Sequence, residues 1–417
     1  MKLLSPSICL LLFTPCFFSN VITAQQPSDS IPGVHTFKLE EYTEFLQTQN
    51  TSPKDYVFSL FEHSDIVILG ERDHRDTTQY VLFLDIISDS RFIEDIGHVY
   101  TEVGVVNMTP EANRFIKGNY STEDEFREAF RDYYRYEDFN PLWEKYNRYQ
   151  FLKGLYDINS CLPESKKITL GLTDMEFSWK GMTPKKYRDF SNDMNQSWSH
   201  RDSIMAYNFM NLYEKQEPVK GKRKALLITS KPHAENSRLF FNIKGVSNEF
   251  RRVGSYIKEV YEDNCKIVAM NFYRADNYMG LPVGLSAFGL WDAAFELTGN
   301  NPVGFDLKDN IFGLTTSDCV SFLKWEDLFD GYIFYIPFYD FVLVMGVPYV
   351  VDRKFSKELI HRAICYEYGE GRNLKANTLR VFGLFARPWL RKYYGEVRLG
   401  GSFSILYEEF EEVLNKN

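Results

Sequence analysis

Residues 66–74 read IVILGERDH. Ile66, Val67, Ile68 and Leu69 form an apolar, mostly β-branched run, Gly70 follows, and then Glu71 and His74, three positions apart, precede any helical pattern. That is the pattern of a strand delivering polar groups to its carboxyl end. In an open α/β sheet, ligands bind in the crevice beyond the strand ends, so Glu71 and His74 stand where chemistry is done. Asp76 and Gln79 have capping-box spacing, and the apolar run 80–87 predicts a helix packed back on the sheet, with His74 in the loop between.

Further strands extend the pattern. Residues 98–106, HVYTEVGVV, alternate and contain Glu102; the unit 66–106 has the length of a right-handed βαβ crossover, which predicts two parallel strands close together with their acids. A third strand, 167–174, ends at Asp174, and a fourth, 224–233, ends at His233. Residues 265–275 and 331–338 give a fifth and sixth, and helical patterns at 38–47 and 56–61 lead into the first. Alternating strands and helices predict one α/β domain over residues 36–353, a mainly parallel central sheet flanked by helices.

Within it, residues 108–160 form a helical insertion after the second strand, rich in charge and aromatics. Its Tyr, Phe and Trp143 read first as an amphipathic cover, since aromatic stripes at helical spacing are more often core, and second as a pocket wall. In the helix expected from residue 201, Arg201, Met205, Asn208 and Leu212 share one face. An Arg there meets a carboxylate, so Arg201 either positions a site acid or pins the helix to the sheet. Residues 354–417 are a C-terminal appendage of the domain: helical, then irregular at 395–401, with an acidic helical end at 407–413.

The 417-residue chain is 44% hydrophobic, enough for a large core, and its net charge of -9 without any basic stripe argues against a nucleic-acid partner. Residues 1–24 carry the signal-peptide pattern: Lys2, an apolar run at 8–18 broken by Pro15, and Thr23-Ala24 before polar residues. They predict export, to the periplasm or outside the cell, with 25–35 a flexible leader. No window reaches the roughly 20 apolar residues of a membrane span. Cys161, Cys265, Cys319 and Cys365 show no CxxC pair, and both disulfides and buried thiols are open to them.

Glu71, His74, Glu102, Asp174 and His233 thus collect at strand ends. A histidine held by a carboxylate can take a proton from water near neutral pH, while a second histidine or Arg201 stabilises an oxyanion or protonates the leaving group. Asp174 and Asn208 are candidate substrate contacts. The set suits hydrolysis of an ester or amide in a small molecule. No GxSxG, HExxH, GxGxxG or Walker-type motif occurs, and no cofactor is expected, although two Glu and two His could instead hold a divalent metal.

Gly70-Glu71-x-x-His74, Glu102 in the next strand, the helix Arg201-Asp202-x-x-Met205-Ala206-x-Asn208, a strand ending in His233 and the later FDGYIFYIPF together resemble the erythromycin esterase family over roughly residues 60–340. The resemblance implies an α/β esterase-like fold in which His74 is the general base on water, surrounded by Glu71, Glu102 and His233. Two departures stand out: Thr78, Leu82 and Phe83 where the family carries a His and an Arg facing the pocket, and Ser230-Lys231-Pro232-His233 in place of H-N-x-H. The expectation is an exported hydrolase cleaving an ester or lactone. The alternatives are a non-catalytic haem- or metal-binding protein on the same fold and a metal-dependent peptidase.

Overall fold

The computed structural model describes residues 36–197, 199–243, 246–274, 284–317, 323–371, 395–396 and 410–415. The expected signal peptide and leader, Cys319, and all of 397–409 lie outside them. Seven strands form the central sheet: β1 (Ile66–Glu71), β2 (His98–Val105), β3 (Thr169–Asp174), β4 (Ala225–Ser230), β5 (Cys265–Met270), β6 (Val303–Asp306) and β7 (Gly331–Phe334). They lie in the order β6-β7-β5-β1-β4-β2-β3. Every pairing is parallel except β6 with β7.

The sheet is covered on both faces, which is why its strands read as continuous apolar runs. Along β1, Val67 and Leu69 pack into one core with the helices Pro53–His63, Thr78–Ser88 and Tyr146–Ser160, while Ile66 and Ile68 pack into the other with Leu39–Gln47, His200–Lys215 and Leu290–Leu297. Each such side chain, buried from water, contributes about 1.5–3 kcal/mol before entropy is counted. The C-terminal helix Phe355–Gly369 lies against Pro184–Met194, where Tyr366 meets Tyr187, and Phe410 packs on Phe338. Among the described residues no helix is long and apolar enough to cross a membrane.

The structure corrects the sequence reading in several places. β1 and β2 are not neighbours, because β4 is inserted between them and pairs with both. The fourth strand stops at Ser230, and His233 rides on a short helix, Lys231–Ala234, since Pro232 has no N–H to continue the ladder. The fifth and sixth predicted strands end earlier, at Met270 and Phe334. β6 and the hairpin of Arg238–Ile243 with Val246–Arg251 went unforeseen. Nor do Asp76 and Gln79 make a capping box: Asp76 accepts the Thr78 N–H at 2.8 Å, while Gln79 turns back to the loop. Cys161, Cys265 and Cys365 are free thiols.

Candidate active site

The loop from β1 to the helix Thr78–Ser88 is tied down by two buried side chains. Gln79 accepts the Arg72 N–H at 2.7 Å and donates to the Asp73 carbonyl at 2.8 Å. Arg72 pairs with Asp76 at 2.7 Å, donates to Asn271 and lies over the Phe341 ring. So fixed, the loop turns His74 back over the end of its own strand. There the Nδ1 atom of His74 is 3.0 Å from Glu71 Oε2.

Glu71 is buried, and its other oxygen accepts from Gln79 and, at 3.1 Å, from Asn147 of the helical insertion. The insertion also brings Trp143, whose ring meets His74 edge-on at 5.1 Å. Trp143 therefore packs against His74 as well as against the core beneath the insertion. Burial alone would push the His74 imidazolium down, but Glu71, Glu102 and Asp73 outweigh it and hold the ring up at about 9.

Glu102 reaches the same place from β2. Its Oε2 accepts the Thr229 hydroxyl at 3.0 Å and the Ser230 N–H at 2.6 Å, which locks the carboxylate to β4. Its Oε1 faces His74 Nε2 at 3.9 Å, His233 Nε2 at 3.5 Å and Arg201 Nη2 at 3.6 Å. Burial pushes this carboxyl up, but the two histidines, Arg201 and the Ser230 N–H together hold it well below the usual carboxylate range.

Arg201 is bound bidentately by Asp174, with Nε–Oδ1 3.0 Å and Nη2–Oδ2 2.7 Å, and lies over the Phe139 ring. Both roles left open for it are thus present: it faces the site acid Glu102 and it pins its helix to β3. Asp174 is engaged by Arg201, and Asn208 donates to the Thr173 and Asp174 carbonyls, so these two side chains hold β3 and the helix together. Thr78 bonds Asp76, and Leu82 and Phe83 are buried in the core, away from the histidines.

Two buried carboxylates beside these side chains were not singled out from the sequence. Asp202, buried, accepts from His233 Nδ1 at 2.7 Å and from the Val253 N–H at 3.1 Å. The signal was present, since Asp202 directly follows Arg201 in the quoted motif, one helical step round from it. Asp138, also buried, precedes the Phe139 ring beneath Arg201; burial, with Asp174 and Glu137 nearby, lifts its carboxyl to about 7 against the pull of Asn140. Nothing local in the insertion announces it.

The result is two histidine–carboxylate dyads, His74–Glu71 and His233–Asp202, whose Nε2 atoms converge on one oxygen of Glu102. The His74 side chain is 26% exposed and that of His233 15%, so solvent reaches both rings. Such an arrangement can move protons at two points around a bound carbonyl and hold an oxyanion near a guanidinium. Among the described residues no group of three or more His, Cys, Asp or Glu side chains is set to hold a metal ion. A cavity of about 1030 Å³ opens at the opposite edge of the sheet, lined by residues including Tyr56, Lys266, Asp306 and Asp330, and contains none of the side chains described above.

Fold and site together define an α/β protein with a paired-histidine centre at the carboxyl edge of a mainly parallel sheet. No protein-family model matches the chain, and no curated protein matches it. Among solved structures the fold is similar to that of a Bacillus cereus protein, with TM-score 0.47, 10% identity, and 71% of this chain and 97% of that one covered. It is similar to a succinoglycan biosynthesis protein, with TM-score 0.47, 11% identity and coverages of 71% and 96%. It is also similar to a mutant erythromycin esterase in its open conformation, with TM-score 0.42, 10% identity and coverages of 72% and 96%. The likeness is one of fold, and what the site does is argued from its own side chains.

Proposed function

We propose that this chain is a hydrolase that cleaves an ester or lactone of a small molecule with water activated by a site histidine. The observation that carries the reading is the convergence of His74 and His233 on Glu102 Oε1, at 3.9 and 3.5 Å, with Arg201 at 3.6 Å from the same oxygen. One ring takes the water proton as the new C–O bond forms; Arg201 and the second ring favour the charge that develops; a protonated ring gives its proton to the leaving alkoxide as the old bond breaks. The motif resemblance to erythromycin esterases supports the same class of bond. The signal-peptide pattern at residues 1–24 supports work after export, in the periplasm or outside the cell.

The test is a panel of aryl esters and lactones, run on wild type beside His74→Ala and in the presence and absence of a chelator. His74→Ala should lose turnover by at least about 10²-fold while keeping its thermal transition, since general acid–base groups contribute that much. Turnover unchanged in that variant, or none by wild type across the panel, refutes the reading; loss of turnover on chelation points instead to a metal-dependent hydrolase.

A further inference from the structure

Lys145 stands where stability gives no reason for a lysine. It is the N-cap of the helix Tyr146–Ser160 and makes no side-chain cap bond, and a cation there opposes the positive end of the helix dipole. Its backbone is pinned: Lys145 bridges to Met345, and the Gly346 N–H donates to the Glu144 carbonyl at 2.8 Å. Its half-buried ammonium forms no ion pair or hydrogen bond with another described residue, and meets the face of the Trp143 ring at 5.0 Å. The same ring meets His74 edge-on at 5.1 Å, so the ammonium is no farther from the imidazole than those two distances end to end. Besides its neighbour Glu144, the charges that act on it are Asp73 and Arg75, which flank His74 in sequence, and Asp138, which precedes the ring beneath Arg201. Lys145 therefore lies between the loop that carries His74 and the segment that covers Arg201.

A half-buried cation costs free energy unless an opposite charge meets it, and burial does push the Lys145 ammonium below the ordinary lysine range. The acids around it are already engaged. Asp73 is tied to Arg75 through Nε at 2.9 Å and Nη2 at 2.6 Å, and the Asp138 carboxyl, lifted to about 7, gives up its proton only near neutral pH. Asp174 is held by Arg201, and Glu71 and Glu102 face the histidines. We propose that the substrate of this site carries a carboxylate and that Lys145 selects it, so that the bond cleaved is the ester or lactone of an acidic small molecule. The inference rests on the hydrolase reading above and deepens it. A carboxylate suits the residue: lysine presents one compact charge, which one carboxylate balances, and it lacks the fork with which an arginine grips a phosphate at two oxygens.

The full protein is tested with matched pairs of aryl esters. Aryl half esters of glutaric, adipic and pimelic acid place a carboxylate at stepped distances on the acyl side, and their methyl-capped partners remove only the charge. Carboxyphenyl butyrate and carbamoylphenyl butyrate do the same on the leaving-group side. The anionic member of at least one pair should be preferred by about tenfold or more in kcat/KM, the scale of one charge-assisted hydrogen bond. Lys145→Met, which keeps an apolar stem on Trp143, should bring that ratio close to parity. Lys145→Arg should restore most of it, and raised salt should lower it in wild type.

Equal rates within every pair, or a preference that Lys145→Met retains, overturns the assignment. If no ester of either charge is cleaved, the hydrolase reading fails by itself, and calorimetric titration with monomethyl adipate decides about Lys145. Binding by wild type that weakens about tenfold in Lys145→Met upholds the carboxylate site. No binding, or equal binding by the two proteins, overturns it.

Discussion

Oε2 of Glu71 lies 3.0 Å from Nδ1 of His74, across a loop that leaves β1 and doubles back over its end. The pair ties stability to pH. The His74 ring titrates at about 9 in the folded chain against 6.5 in an unfolded one, so folding favours its protonated form. That stabilisation is complete below pH 6.5 and is lost as pH rises through about 9; for a ring only partly shielded it is on the order of 2 kcal/mol. Urea midpoints measured from pH 6 to 10 should fall over this window in wild type and fall less in Glu71→Gln. Parallel curves for the two proteins would mean that Glu71 does not hold the His74 proton.

Gly254 connects distant packing to the site. A Cβ built there stands 1.8 Å from the Ala234 carbonyl oxygen, inside any permitted contact, and Ala234 follows His233 while Val253 donates to Asp202. In Gly254→Ala the helix Val253–Tyr261 must move off the segment carrying His233. The expected outcome is destabilisation of about 1–3 kcal/mol, the range for forced overpacking, with a loss of ester turnover larger than the stability change explains. A native melting temperature with full turnover would show that the contact relaxes freely.

What the sequence made legible divides along physical lines. β1 to β5 and β7 were readable because buried parallel strands are unbroken apolar runs, and Glu71, His74 and Glu102 because they end or interrupt such runs. β6, four residues reading VGFD, carries too little pattern, and the insertion of β4 between β1 and β2 depends on contacts some 130 residues apart. That insertion brings the Ser230 amide onto Glu102. The contributions of Trp143, Asn147 and Asp138 depend on how the helical insertion folds over the sheet, which no periodicity encodes. His233 was found for the wrong local reason: it sits one turn beyond its strand, where helix Lys231–Ala234 aims it at Asp202 and Glu102.

A second ion pair, Arg148 with Glu137, is fully buried at 3.1 Å, with Glu137 also accepting the Tyr133 hydroxyl and Arg148 donating to Thr101. Removing one charge strands the other in the core. Arg148→Met should therefore cost about 3–5 kcal/mol, the usual penalty for breaking a buried pair, while Arg148→Met combined with Glu137→Leu should recover most of it. Chemical denaturation of the single and double variants measures both. A single variant within 1 kcal/mol of wild type would show that water reaches the pair.

Asp138 offers the opposite case, a charge whose removal should help. Its carboxyl titrates at about 7 in the folded chain against 3.8 unfolded, chiefly because burial disfavours the anion and Asp174 and Glu137 repel it, despite the Asn140 bonds. Folding therefore favours the neutral acid: the contribution is complete below pH 3.8 and turns into a cost as pH rises through about 7. Asn140 donates its N–H at 2.6 Å and its side-chain amide at 2.7 Å, both to Oδ1, and an Asn at 138 keeps an oxygen in that position. Asp138→Asn should thus match wild type in stability at or below about pH 4 and exceed it by on the order of 1–3 kcal/mol at pH 8. Thermal melts of the two proteins across that range give the difference directly. A gap that stays constant with pH would place the charge on Asp138 equally in folded and unfolded chains, and would remove it from any part in the electrostatics around Arg201.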